Sequence, residues 1–105
     1  MTFRLVTTPE VDVQIRTIDS WWRENRPAAP ELFSQELAAG LDLLEAVPNV
    51  GRSYGHPTVK GVRRILLRST RYHVYYIVLE DTIVVLAVWS AVRGSGPDLK
   101  SPTSS

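Results

Sequence analysis

The sequence contains no cysteine, which excludes disulfide bonds, thiolate metal sites and cysteine nucleophiles. It has no run of about 18 apolar residues, so no membrane-spanning helix is predicted, and its first residues lack the apolar segment of a secretory signal. The two histidines, His56 and His73, have neither ligand-like spacing nor a third partner, so no metal site is expected. We therefore expect a cytoplasmic protein that has no cofactor, no membrane association and no small-molecule substrate.

The chain also lacks a strong excess of charge of either sign, since its formal net charge is +1. The distribution is uneven, however: residues 1–51 contain eight Asp or Glu and four Arg, whereas residues 52–105 contain three Asp or Glu and eight Lys or Arg. This asymmetry is typical of a domain with one surface that faces a polyanion or an acidic partner. The alternative is that each arginine pairs with a carboxylate on the first half of the chain.

The first half of the chain predicts a strand followed by two helices. Alternating apolar residues indicate a short strand at about residues 3–7. Thr8 and Pro9 then provide a capping hydroxyl and a first helical position, so a helix is predicted at about residues 9–24. A second helix is predicted from Pro30 to residue 46, because Pro48 prevents its continuation.

The second half predicts three strands, at about residues 62–68, 72–80 and 82–90, after a loop at residues 49–61. The turns between them are so short that consecutive strands must be antiparallel. The order β-α-α-β-β-β predicts an α+β fold with a helical hairpin on one face of a twisted, mostly antiparallel sheet. We expect one domain over residues 1–93 and a flexible C-terminal tail over residues 94–105.

The helical stripes and one face of the last strand predict a shared core. Its members are Ile15, Ile18, Trp22, Leu37, Leu41, Leu44, Val85 and Ala87. The last strand is apolar on both faces, which indicates an interior strand that is buried on both sides. We expect the sheet face opposite the helices to be less covered and to form a concave surface.

Residues 62–97 carry a pattern that resembles one protein family. Arg63 and Arg64 open a strand that Arg68 ends, an aromatic-rich strand and an apolar strand follow, and Arg93 comes just after them. This order resembles the RelE/ParE toxins of type II toxin–antitoxin pairs. The resemblance implies a bacterial growth inhibitor that is held inactive by a cognate antitoxin protein.

The family has two branches, and the resemblance implies a different activity for each. RelE-like members are metal-independent endoribonucleases that cut mRNA in the ribosome, whereas ParE-like members are associated with inhibition of DNA gyrase. Arg64, His73 and Arg93 match three positions of the ribonuclease pattern. Leu66 stands where a second basic residue would be, and the tail supplies no tyrosine.

These two vacancies favour the ParE-like branch, in which the protein binds gyrase without being an enzyme. The alternative is the ribosome-dependent ribonuclease, with Arg64, His73 and Arg93 as its catalytic residues. A third possibility is a non-toxic module that keeps the fold and only binds a partner.

The residues expected to bind the target lie near the hairpin and after the last strand. Arg64, Arg68 and Arg71 crowd one hairpin, and strand alternation places Arg64 and Arg68 on one face with Arg63 opposite. Such a cluster suits nucleic-acid phosphates or an acidic protein segment. Trp89 and Arg93 complete the predicted target-binding set, although Trp89 could instead close the edge of the core.

The remaining aromatic residues are assigned by periodicity. Trp22 belongs to the helical core stripe, so its neighbour Trp21 is predicted to be exposed and to bind the antitoxin. Tyr72 and Tyr76 should share one sheet face and Tyr75 the other, where each either stacks on bases or joins the core. His73 is either a proton-transfer group or an ordinary strand residue.

Overall fold

The computed structural model describes residues 3–102, which form two helices and a five-stranded mixed sheet. The elements in chain order are β1 (Arg4–Thr7), α1 (Pro9–Asn25), α2 (Leu32–Ala46), β2 (Arg52–Ser53), β3 (Arg63–Leu67), β4 (Tyr72–Leu79) and β5 (Thr82–Ser90). The sheet order is β1-β5-β4-β3-β2, with β1 parallel to β5 and the other neighbours antiparallel. The predicted α+β fold is confirmed, and no helix in the described residues is long and apolar enough to cross a membrane.

Capping hydrogen bonds and prolines determine where the two helices begin. The Thr8 hydroxyl accepts a hydrogen bond from Val11 N at 3.2 Å, and Pro9 opens α1 as expected. The second helix begins two residues later than predicted, at Leu32. The Leu32 amide donates to the Ala29 carbonyl at 3.3 Å, so Pro30 lies inside a turn rather than at the first helical position.

One strand that was not predicted, β2, lies inside the segment that was expected to be a loop. Arg52 and Ser53 form β2 and pair with Arg64 and Arg63 of β3. Two residues are too few to produce an alternating pattern, so this strand could not be predicted from periodicity. The order is therefore β-α-α-β-β-β-β.

A β-bulge in β5 changes which face its last residues occupy. Tyr75 pairs with Ala87 and Tyr76 pairs with Val85, so Leu86 is an extra residue on β5. The alternation is broken at this point, and Ala87 packs on the face opposite to Val85. The prediction that Ala87 shares the helix-side core was therefore wrong.

The helix-side core lies between the two helices and the sheet. Trp22, Leu37, Leu44 and Val85 are buried in it, as predicted, together with Val11, Phe33 and Tyr76. Ile15, Ile18 and Leu41 pack against this core but are half-buried. Strand β5 is an interior strand that is buried on both faces, also as predicted.

The other sheet face carries a second core, which we call the opposite-face core: Val59, Val62, Tyr75, Ile77, Val84, Leu86, Ala87 and Leu99. The expectation of a less covered face was wrong, because the segment before β3 and the C-terminal segment both pack here. Leu99 is only 6% exposed and Pro97 is also buried. The domain boundary at Arg93 stays a prediction, and residues 103–105 of the predicted tail lie outside the described residues.

Candidate functional site

Four arginines surround one cavity of about 700 Å³ at the β3 side of the sheet. Arg64, Arg68 and Arg71, which the sequence grouped together, all line this basic cavity. Arg52 of β2 joins them because it pairs with Arg64 across the strands. The rest of the lining is His73, Gly51 and the apolar residues Leu43, Val50, Ile65 and Leu66.

The Arg64 guanidinium is held against two aromatic rings. Its Cζ lies 5.0 Å from the Tyr54 ring centre and 5.9 Å from the Tyr75 ring centre, and Nη1 donates to the Tyr75 hydroxyl at 3.3 Å. These contacts orient the side chain and leave its charge uncompensated. Arg63 is bound elsewhere, by the carbonyls of Gly51 at 2.8 Å and Asn49 at 3.3 Å, so the predicted separation of Arg63 from Arg64 agrees with their different partners.

The turn that carries Arg68 and Arg71 is attached to α2 through Glu36. The Glu36 carboxylate accepts hydrogen bonds from Ser69 N at 2.8 Å, Thr70 N at 2.9 Å and Thr70 Oγ1 at 2.6 Å. Burial acts to raise the pKa of Glu36, but these hydrogen bonds outweigh it and hold the pKa below its ordinary value. The backbone of this turn is therefore fixed although both arginine side chains are exposed.

The arginines of the basic cavity are not neutralised by carboxylates. Within residues 3–102, the ion pairs are those of Arg23 with Asp19 at 2.9 Å and with Glu31 at 3.9 Å. The alternative that the arginines pair individually with carboxylates therefore fails for this cavity. Burial and, secondly, the Arg64 charge lower the pKa of His73, which favours its uncharged form.

A second depression, which we call the tryptophan groove, lies between α1 and the end of β5. It has a volume of about 440 Å³ and is lined by Val13, Gln14, Thr17, Ile18, Trp21, Tyr72, Val88, Trp89, Ser90 and Arg93. Trp21 is 44% exposed, as the helical pattern predicted. The Arg93 Cζ lies 4.9 Å from the Trp89 ring centre, and Trp89 Nε1 donates to the Ser95 carbonyl at 2.8 Å.

The backbone of β5 is incompletely paired along this groove. Strand β1 ends at Thr7, opposite Val85, so it does not reach Val88. The Val88 amide donates instead to the Gln14 side-chain oxygen at 2.9 Å. A side-chain amide from α1 thus takes the place that a strand carbonyl would otherwise occupy.

The structure divides the predicted site residues between the two depressions. Arg64 and His73 line the basic cavity, whereas Arg93 lines the tryptophan groove beside Trp89 and Trp21. The two are adjacent, because His73 and Trp89 are cross-strand partners. The ribonuclease set of Arg64, His73 and Arg93 is therefore shared between two adjacent depressions.

Sequence reasoning missed three residues that shape the basic cavity. Tyr54 lies in a segment rich in Gly and Pro, which was interpreted as a loop. Arg52 was counted in the basic half of the chain, but the strand that contains it was not predicted. Glu36 lies on a helix among other polar residues, so nothing in the pattern separated it from solvent-facing carboxylates. Within the described residues, no three His, Asp or Glu side chains lie close enough to hold a metal ion.

Comparison with known proteins gives a family and a fold. A family model described as the ParE toxin of the type II toxin–antitoxin system parDE matches residues 5–93. A structure of the chromosomal ParDE system from P. aeruginosa has a TM-score of 0.69 at 19% identity, over 84% of this chain and 95% of that chain. No curated protein sequence matches the chain.

Two structures of the E. coli toxin RelE are also similar. A double-arginine mutant in the free state has a TM-score of 0.55 at 19% identity, over 88% of this chain and 86% of that chain. The isolated toxin has a TM-score of 0.56 at 21% identity, over 88% of this chain and 87% of that chain. At these identities the structures support the fold alone. Because the family model spans most of the sequence, the chain belongs to the ParE toxin family of type II toxin–antitoxin systems.

Proposed function

We propose that this protein is a cytoplasmic toxin that inhibits growth by binding DNA gyrase, without chemistry of its own, and that a cognate antitoxin neutralises it. The observation that carries this proposal is the division of the site. Arg64 and His73 line one depression, whereas Arg93 lines the adjacent one with its guanidinium on the Trp89 ring, which supports separate binding contacts rather than one catalytic cluster. The exposed Leu66 lines the first depression, at the position where a second cation would be required.

A ribosome-dependent mRNA endoribonuclease is the second candidate. His73 supports it, because its imidazole is half-buried near Arg64 and its lowered pKa favours the uncharged form, which could accept a proton from a 2′-hydroxyl group. The residues lining the basic cavity include no carboxylate and no tyrosine that could protonate the leaving oxygen. A non-toxic partner-binding module is the third candidate, and it would keep both depressions while having no effect on growth.

The tryptophan groove supports the antitoxin part of the proposal. Trp21 and Val13 expose apolar surface from α1 into this groove, and such surface is typical of a protein interface. Trp89 and Arg93, which we assign to target binding, line the same groove. An antitoxin segment that covers Trp21 would therefore also cover these two residues, which gives a direct means of neutralisation.

The experiment that tests this function compares two activities of the purified protein. We expect it to inhibit DNA supercoiling by purified gyrase and to leave mRNA intact on translating ribosomes. His73→Phe should keep the inhibition, because a binding inhibitor does not need the imidazole as a proton acceptor. Expression in cells should cause filamentation and a DNA-damage response.

The competing functions predict different results. A ribonuclease should cleave mRNA on ribosomes and lose about 100-fold or more of that activity in His73→Phe. Such a result would replace the gyrase proposal with the second candidate. Full growth during expression, with neither activity in vitro, would instead identify a non-toxic binding module.

A further inference from the structure

The outer edge of β3 is unpaired over three of its five residues, 65–67. Strand β2 pairs with Arg63 and Arg64 and then leaves the edge. The Tyr54 amide donates to the Val62 carbonyl at 2.8 Å, so even-numbered residues of β3 direct their backbone groups toward the β2 side. Leu66 is the next such residue, and no strand of the described chain lies opposite it.

The position of Gly51 prevents β2 from covering this edge. The Gly51 amide donates to the Tyr76 hydroxyl at 2.9 Å, and that hydroxyl donates to the Pro48 carbonyl at 2.7 Å. A Cβ at Gly51 would lie 2.5 Å from the Tyr76 oxygen and 3.0 Å from the Arg64 carbonyl oxygen. These contacts hold the residues just before β2 on the Tyr76 hydroxyl, and they do not pair with Leu66, so this part of the edge stays open.

The surroundings of the open edge are positively charged. Arg52, Arg64, Arg68 and Arg71 line the cavity beside it, and no Asp or Glu lines that cavity. The nearby Glu36 carboxylate is already occupied by the Ser69 and Thr70 donors. A ligand of this edge must therefore be acidic to compensate the charge.

The apolar part of the cavity distinguishes a polypeptide from a nucleic acid. Leu43, Val50 and Leu66 are each between 41% and 44% exposed around the open edge. A strand that paired with Leu66 would direct alternate side chains to opposite faces, one row toward arginines and the other toward apolar residues. Nucleotide bases would need free aromatic rings, but Tyr54 and Tyr75 already hold Arg64.

We propose that an acidic, extended segment of the target protein binds this edge and adds a strand to β3 at Leu66. Its acidic side chains contact Arg64, Arg68 and Arg71, and its alternate apolar side chains cover Leu43 and Val50. Backbone hydrogen bonds to Leu66 fix the register, as in other interactions by strand addition. The inference rests on the proposed function, because it names the chemistry by which the arginines recognise the target.

The binding test uses three synthetic probes with the isotopically labelled protein: a capped octapeptide of alternating Glu and Val, the same peptide with Lys for Glu, and an eight-nucleotide oligouridylate. We expect the Glu-Val peptide to shift the Leu66 and Arg68 amide resonances and to slow hydrogen exchange at Leu66. The Glu-Val peptide should bind at least about tenfold more tightly than the Lys-Val peptide, and added salt should weaken its binding.

Two variants separate the charge from the strand pairing. Arg68→Glu with Arg71→Glu should weaken Glu-Val binding by at least about tenfold, whereas the matched change Arg4→Glu with Arg16→Glu, outside the cavity, should not. Leu66→Pro removes the amide donor of the open edge and is tolerated there, because that amide has no partner within the sheet. The Leu66→Pro protein should keep the circular dichroism spectrum of the wild type but should no longer bind the Glu-Val peptide.

Three results would overturn the inference. Oligouridylate that binds at Leu66 more tightly than the Glu-Val peptide would assign the edge to nucleic acid. Glu-Val peptide that shifts Trp21 and Val88 instead would assign the acidic segment to the tryptophan groove. If the wild type and the Arg68→Glu, Arg71→Glu double variant inhibited gyrase equally, the proposed function would stand, but the target would not bind through the open edge. Peptide binding at Leu66 without gyrase inhibition would refute gyrase as the target while retaining the edge as an acidic-peptide site.

Discussion

At the scale of single residues, Glu36 helps to shape the basic cavity although it does not line it. One carboxylate accepts three hydrogen bonds from Ser69 and Thr70, which joins α2 to the turn between β3 and β4. Arg71 has a left-handed backbone (φ 66°) in this turn, a conformation that a non-glycine residue adopts only when its surroundings enforce it. Glu36 provides part of that constraint.

We expect Glu36→Gln to destabilise the protein by about 1–3 kcal/mol at pH 7, because a neutral amide accepts these hydrogen bonds less strongly than a carboxylate. The effect should depend on pH. The pKa of Glu36 is lower in the folded state, so its stabilisation is complete above the unfolded pKa of about 4.5 and is lost as pH falls through the lowered folded pKa. Urea denaturation at pH 7 and at pH 3 measures both.

The matched control for this prediction is Asp42→Asn, an exposed carboxylate on the same helix. It should change the free energy of unfolding by no more than about 0.5 kcal/mol at either pH. A Glu36→Gln protein that is as stable as the wild type at pH 7 would mean that the turn is held by its own backbone contacts. The Arg71 and Ala91 amides supply such contacts, donating to Leu67 O and to Arg71 O, each at 2.8 Å.

At the scale of elements, α1 serves two purposes. One side packs into the helix-side core through Val11 and Trp22, and the other presents Trp21 to the tryptophan groove. The Arg26 guanidinium lies 5.1 Å from the Trp21 ring centre and 5.7 Å from the Trp22 ring centre. The exposed indole is thereby held in one orientation before a partner binds.

We expect Trp21→Ala to weaken binding of the cognate antitoxin by at least about tenfold, because exposed tryptophans that become buried dominate interface energies. Isothermal titration calorimetry with the purified antitoxin measures this. The fold should remain, since Trp21 is outside the core, and thermal unfolding should confirm that. Arg16→Ala, an exposed residue of α1 that does not line the groove, is the control and should bind normally. Unchanged affinity in Trp21→Ala would exclude the groove from the antitoxin interface.

The same elements show what the sequence could predict. Helices α1 and α2 and strands β3 to β5 were predicted close to their bounds, because each is long enough for its apolar period to repeat. Strand β2 was missed because two residues have no period. The bulge at Leu86 was missed because both faces of β5 are apolar, so the break in alternation leaves no trace in the pattern.

Strand alternation predicted only the part of the candidate site that lies on one strand and its turn. Arg64, Arg68 and Arg71 were grouped correctly, because they lie on one strand and the turn that follows it. Arg93 was placed with them by the family resemblance, but its guanidinium stacks on Trp89 and lies in the other depression. Contacts that join distant segments, such as Glu36 with Thr70 or Gln14 with Val88, depend on the packing of α1 and α2 and carry no sequence signature.

At the scale of the whole molecule, the sheet is covered on both faces, by helices on one face and by irregular segments on the other. The helices form the helix-side core, whereas the segment before β3 and the C-terminal segment form the opposite-face core. Leu99 contributes to the second core from nine residues beyond the last strand. The Ser95 carbonyl, which accepts from the Trp89 indole, connects the same segment to the tryptophan groove.

We expect Leu99→Ala to destabilise the protein by about 2–4 kcal/mol, because a side chain that is 6% exposed leaves a cavity in the opposite-face core when it is removed. Lys100→Ala, at the exposed neighbouring position, should stay within about 0.5 kcal/mol of the wild type. Urea denaturation of the three proteins at pH 7 provides the comparison. A freely moving tail predicts no loss for either variant, so equal stability of Leu99→Ala and the wild type would mean that the sheet does not need this segment. A loss confined to Leu99→Ala would make the C-terminal segment part of the folded unit, and the boundary of the domain would then lie beyond Arg93.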